Sequence, residues 1–197
     1  MQKYPGYYYK YKVCVSGAAE MYPCTPTAKK NAIEVGRQIV KQGAVLVTGA
    51  TTGIPYWSAV GAKKAGGISI GFSPAATEKA HVKSYRLPID MFDVMVYTGF
   101  GYAGRNLLLT RASDGVIIIC GRIGTLNEFT VAFEDEKPIG VLEGSGGTAD
   151  RIDSLFDDGY RGKRKIVGSE DPKILVRETI KMIKKDRGDN IKGQKKK

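Results

Sequence analysis

The stretch Gly121-Arg122-Ile123-Gly124-Thr125-Leu126-Asn127-Glu128 decides the fold of this chain. It follows an unbroken apolar run, Val116 to Cys120, and leads into helical spacing at Leu126, Phe129, Val131, Ala132 and Phe133. A buried strand, a glycine turn and a helix are the expected sequel. The first amides of such a helix have no intrahelical acceptor and sit at the positive end of its dipole, so they invite an anion. Glu128 falls one turn further in. A carboxylate beside an anion site is electrostatically awkward, which marks Glu128 as a candidate for work on a ligand.

The same alternation extends outward in both directions. Lys12 to Ser16 reads as a first strand ending in Gly17, followed by a helix with Ala28, Ala32, Val35, Ile39 and Val40 on its apolar face. Ala44 to Val47 is a second strand, and Gly49 to Gly53 a second strand-to-helix turn, with Pro55 suited to the first turn of the helix after it. Ile68 to Phe72, Phe92 to Tyr97, Val116 to Ile119 and Pro138 to Leu142 supply four more strands. Ser73 to Asp90 is irregular and polar, a candidate active-site or interface loop. Helices are expected over Ala103 to Ala112, briefly over Ile152 to Phe156, and from Asp171-Pro172 to about Lys185. Strand and helix alternating at this spacing predict a doubly wound, mostly parallel α/β sheet in three layers, α/β/α. Ligands of such sheets bind at the C-terminal strand ends, where the glycine turns converge.

At 197 residues the chain suits one domain, with a core of about 12–185 inside a unit of 1–185 and a basic tail over 186–197. No apolar run reaches the roughly 20 residues of a membrane helix, and the tyrosine-rich start lacks an export signal's apolar core. A cytoplasmic protein without membrane attachment is expected. Three widely spaced cysteines, Cys14, Cys24 and Cys120, suggest neither a disulfide framework nor a metal site, and Cys14 and Cys120 read as small core hydrophobes. A lone His81 cannot form a multi-histidine centre. No metal and no resident cofactor are expected. The net charge of +11 is concentrated at the end, where Lys181 to Lys197 hold eight basic residues against Asp186 and Asp189. Such a tail is expected to bind nucleic acid at most weakly, through phosphate charge alone. Gly99-Phe100-Gly101-Tyr102-Ala103-Gly104 spells a dinucleotide fingerprint, but it does not follow the first strand and no acidic residue ends the next one, so redox use of NAD is not expected.

Arg105 and the segment Gly121 to Glu128 carry a resemblance to the LOG ("lonely guy") family of Rossmann-like phosphoribohydrolases, whose pattern is an arginine, a strand, then P-G-G-x-G-T-x-x-E. The chain resembles it over about Val13 to Leu142. Two positions depart: Cys120 stands for the proline and Arg122 for the second glycine. The resemblance implies hydrolysis of the N-glycosidic bond of a nucleoside 5′-monophosphate to free base and ribose 5-phosphate. Glu128 and Arg105 would be catalytic, and Gly17, Gly49, Gly53, Gly121, Arg122, Gly124 and Thr125 would bind nucleotide and phosphate. It also implies a homodimer or a higher homo-oligomer. The two departures favour the alternative, a non-catalytic nucleotide or cofactor carrier like the molybdenum-cofactor carrier of the same broader branch.

Overall fold

In the strand Lys12–Gly17 (β1) successive side chains point to opposite faces, and both faces are buried. Val13 and Val15 join one apolar cluster and Cys14 the other. The strand Gly115–Ile119 (β5) repeats the pattern, with Ile117 and Ile119 on the first side and Val116 and Ile118 on the second. Strands apolar on both faces need helices on both, and the chain supplies them.

This computed structural model describes residues 10–156 and 165–188. The other strands are Val45–Thr48 (β2), Ser69–Ser73 (β3), Val94–Tyr97 (β4), Ile139–Leu142 (β6) and Ile166–Ser169 (β7). The α-helices are Ala28–Lys41 (α1), Ile54–Lys64 (α2), Gly101–Ala112 (α3), Ile123–Glu134 (α4) and Pro172–Asp186 (α5). All neighbouring strands pair parallel, in the order β4-β3-β2-β1-β5-β6-β7. The first cluster takes in buried residues of α1, α2 and α5, the second those of α3 and α4, which gives the three-layer α/β/α fold expected from the sequence. Where α1 crosses α2, a Cβ on Gly36 would lie 1.9 Å from the Ser58 carbonyl oxygen, and one on Gly61 1.9 Å from that of Ile33. Only hydrogen at these two positions lets the helix backbones approach so closely.

Chain order reverses between β1 and β5, so the crevice of this sheet opens at their C-terminal ends. Among the described residues no helix is long and apolar enough to cross a membrane.

Several local expectations need correction. The strand β7 was not anticipated, because Ile166-Val167-Gly168-Ser169 is short and half-polar, and its pairing with β6 supplies the missing edge. The expected helix over Ile152 to Phe156 is two 3-10 turns, Ala149–Arg151 and Asp153–Phe156. Within the irregular segment a π-helical turn, Ala80–Ser84, is pinned by His81, which is fully buried between the Ser73 hydroxyl (2.8 Å) and the Pro88 carbonyl (3.1 Å). Arg187, placed by sequence in the tail, pairs with Asp114 at 2.5 Å. The rest of that tail from residue 189 lies outside the described residues.

Candidate functional site

The end of β5 builds the site. Cys120 turns the chain out of the strand with φ +53°, Gly121 follows at φ +107°, and Arg122 opens α4 with no side-chain cap. A Cβ at Gly121 would collide with the Thr125 side chain at 2.5 Å, so glycine is required there twice over, by dihedral and by contact. Thr125 is buried beneath the turn, whereas Arg122, Ile123 and Gly124 are exposed around it. The first amides of α4 therefore face the crevice mouth, with no acidic residue in the helix's first turn.

Behind this turn lies a buried polar knot. Glu128 and Arg105 are only 6% and 5% exposed, and their ion pair spans 3.4 Å from Nη1 to Oε1. Ser16 shares a face of β1 with Cys14, the side covered by α4, and its hydroxyl donates a short hydrogen bond to Glu128 Oε2. The Asn106 amide borders the pair: its nitrogen donates to Asn127 Oδ1 at 3.1 Å and to the Gly124 carbonyl at 3.5 Å, and turned over it would donate instead to Glu128 Oε1 and the Tyr102 carbonyl, each at 3.0 Å. Both carboxylate oxygens thus have donors supplied by the protein. Burial raises the Glu128 carboxyl above the ordinary glutamate value, and Arg105 and the Ser16 hydroxyl offset this only in part. Arginine proximity alone does not hold Glu128 at its ordinary value. Burial also pushes the neighbouring Cys14 thiol up, and the charge of Glu128 adds to it.

The glycines at the other strand ends make room for this knot. A Cβ at Gly49, after β2, would lie 1.6 Å from Arg105 Nη1. Gly53, at φ +69°, lies against the Ala18 and Ala19 carbonyls, and Gly17 against the Ile119 carbonyl and Ile54. Gly17, Gly49, Gly53 and Gly121 therefore gather at one end of the sheet with Arg105 and Glu128, while a Cβ at Gly124 would meet Asn106 Nδ2 at an unstrained 4.0 Å. In the fingerprint-like stretch, Gly99 and Gly101 have positive φ and form the tight turn into α3.

Arg122 is ion-paired at the surface with Glu20, from the loop between β1 and α1. The same loop overturns the cysteine reading: Cys24 and Cys120 form a disulfide across 96 residues, and Cys120 is no mere core filler. Cys14 is free and buried, as expected. The loop after β6 backs the assembly. The Cys120 amide donates to Ser145 Oγ at 2.8 Å, the Cys120 carbonyl accepts from the Ala149 amide at 2.8 Å, and the Thr25 amide donates to the Ser145 carbonyl at 3.1 Å. Sequence reasoning missed Ser16, Cys24, Asn106 and Ser145. The polar residue ending an otherwise apolar β1 was a signal for Ser16, while the other three carry none in local spacing. A cavity of about 390 Å³ beyond β6 and β7 is walled by Glu143, Asp150 and Asp153, charges that repel an anion.

Comparison with known proteins agrees with this architecture. An uncharacterised protein of Archaeoglobus fulgidus is 30% identical over 132 residues, 67% of this chain and 80% of that protein. Among solved structures, the structural-genomics target TM1055 superposes with a TM-score of 0.72 at 27% identity, covering 89% of this chain and 99% of that one. The molybdenum cofactor binding protein of the phototrophic bacterium Rippkaea orientalis superposes with a TM-score of 0.70 at 29% identity, covering 91% and 98%. Residues 10–176 match the family model described as SLOG cluster4, and the chain belongs to that family within the LOG-type Rossmann-like folds.

Proposed function

We propose that this protein binds a phosphate-bearing nucleotide or nucleotide-like cofactor at the β1–β5 crevice and holds it without turnover. The observation that carries this reading is the state of Glu128. A general base needs a free lone pair within reach of the proton it takes. Glu128 is buried, and each of its oxygens already accepts from a protein donor, Ser16 at Oε2 and Arg105 at Oε1. It acts as the keystone that fixes β1, α3 and α4 around the turn, and the turn presents the uncapped amides of α4 to the ligand's phosphate. A phosphate monoester attached to a planar heterocycle, purine or pterin, is the ligand chemistry proposed. The name of the Rippkaea protein, a molybdenum cofactor binder, supports a carrier of this kind.

Hydrolysis is the second reading, favoured by the retained Arg105–Glu128 pair. In it water attacks C1′ as the C–N bond breaks, Glu128 takes the water proton and returns it to the departing base nitrogen, and free base and ribose 5-phosphate result. That step would require water to reach a carboxylate that is only 6% exposed. A homodimer belongs to either reading, supported by the exposed apolar side chains Tyr102, Leu107 and Leu108 on α3 and Ile123 on α4. Weak nucleic-acid retention by the residues beyond 188 remains a separate expectation, checked by salt titration of a truncated chain.

Calorimetric titration with nucleoside 5′-monophosphates and with the matching nucleosides tests the proposal. Nucleotide binding that far exceeds nucleoside binding is expected, because charge-assisted bonds to phosphate contribute on the order of 1.5–3 kcal/mol each. Equal affinity for both would remove the phosphate from the argument.

A further inference from the structure

The Cys24–Cys120 disulfide has no part in the function proposed above, yet it joins two rims of that site. Cys120 begins the phosphate-facing turn, and its backbone is held at both ends by the Ser145 hydroxyl and the Ala149 amide. Cys24 lies on the other rim, in the loop between β1 and α1, where it forms a bridge to Gly146. Four residues before it, Glu20 is ion-paired with Arg122, the exposed cation at the mouth of the anion site. Surface pairs of this kind are weak by themselves, since two mobile side chains must be ordered in water. A covalent tether nearby shortens the search and keeps the carboxylate at the guanidinium.

We infer that the disulfide is a redox-sensitive latch on phosphate binding: oxidised, it holds Glu20 on Arg122, and reduced, it releases Arg122 to the ligand. This rests on the binding reading above. Cys24 is half-buried and Cys120 fully buried, so an incoming thiolate meets the Cys24 sulfur first. A dithiol is the reductant. One of its thiolates bonds to Cys24 and displaces the Cys120 thiolate, then its second thiol closes the reductant's own disulfide and frees Cys24. Two electrons pass from dithiol to protein, and both cysteines end as thiols. The freed loop keeps its bonds from Thr52 Oγ1 to the Ala19 carbonyl and from Thr25 to Ser145, so its fold persists while Glu20 gains freedom.

The experiment uses the full chain, oxidised or reduced with dithiothreitol, titrated with adenosine 5′-monophosphate and with inorganic phosphate. Alkylation of the denatured protein counts free thiols, and hydrogen exchange follows residues 18–27 and 121–125. Reduction should raise free thiols from one to three, speed exchange in those two segments, and tighten binding about threefold to tenfold. Glu20→Gln should bind as tightly in the oxidised state as wild type does when reduced, and lose the redox response. Three free thiols before reduction, unchanged exchange, or affinity that stays equal or falls on reduction would each overturn the latch. If neither probe binds in any state, the binding proposal fails and the latch on binding falls with it, whereas binding of equal strength in both states overturns the latch alone.

Discussion

Gly49→Ala isolates the contact on which the buried pair depends. Gly49 has no left-handed dihedral to satisfy, so alanine strains nothing in the backbone itself. Its Cβ would, however, lie 1.6 Å from Arg105 Nη1 and 2.6 Å from Cζ. The guanidinium is the flexible partner and must move, which strips Glu128 of its cation in a site only 6% exposed. Breaking a buried ion pair by removing one partner costs about 3–5 kcal/mol, because the other charge stays buried without compensation. For a chain of this length each kcal/mol shifts Tm by about 2–4 °C, so a fall of roughly 6–20 °C is expected in a thermal melt. Arg105→Met should cost a similar amount. The double variant is decisive: once the arginine is gone, the alanine methyl meets no guanidinium, and Gly49→Ala should add less than about 0.5 kcal/mol. Additive losses in the double variant would refute the claim that Gly49 exists to admit Arg105.

Other expectations follow from the same geometry. Because burial raises the folded carboxyl of Glu128 above its unfolded value, its contribution to stability is full below pH of about 4.5 and is lost as pH rises through the raised value. Denaturant melts across pH should therefore show wild type losing ground to Glu128→Gln from about pH 4.5 upward, and a constant gap would refute the shift. Reducing the disulfide, which closes a span of 96 residues, should lower stability by about 4–5 kcal/mol on loop-closure entropy, read as a lower urea midpoint. Truncation after Asp186 should destabilise the chain more than truncation after Gly188, by under about 1 kcal/mol, because Arg187 is lost from Asp114 while its own side chain is 40% exposed.

The order of strands and helices was legible because each element carries its period locally. Val13 to Ser16 and Val116 to Ile119 are short apolar runs bounded by glycine turns, and α1 and α5 show helical spacing of their apolar residues. β7 was not legible, being four residues with a central glycine, and it is defined by pairing with β6 rather than by its own composition. In the site, Arg105 and Glu128 stand out through motif spacing, whereas the disulfide depends on the loop after β1 lying against the turn after β5. No local pattern links Cys24 to Cys120, and their sum with Cys14 is odd. Asn106 carried no signal in local spacing, and its place beside Glu128 depends on how α3 packs against α4.

The most direct test of non-catalytic binding joins two readouts in one vessel. The protein is titrated calorimetrically with a panel of nucleoside 5′-monophosphates, and the same samples are then assayed for free base and ribose 5-phosphate. Saturable binding that depends on the 5′-phosphate, with neither product released, is the result predicted. Release of base and ribose 5-phosphate in equal amounts, lost in Glu128→Gln while binding persists, would contradict it and make Glu128 the catalytic carboxylate of a phosphoribohydrolase.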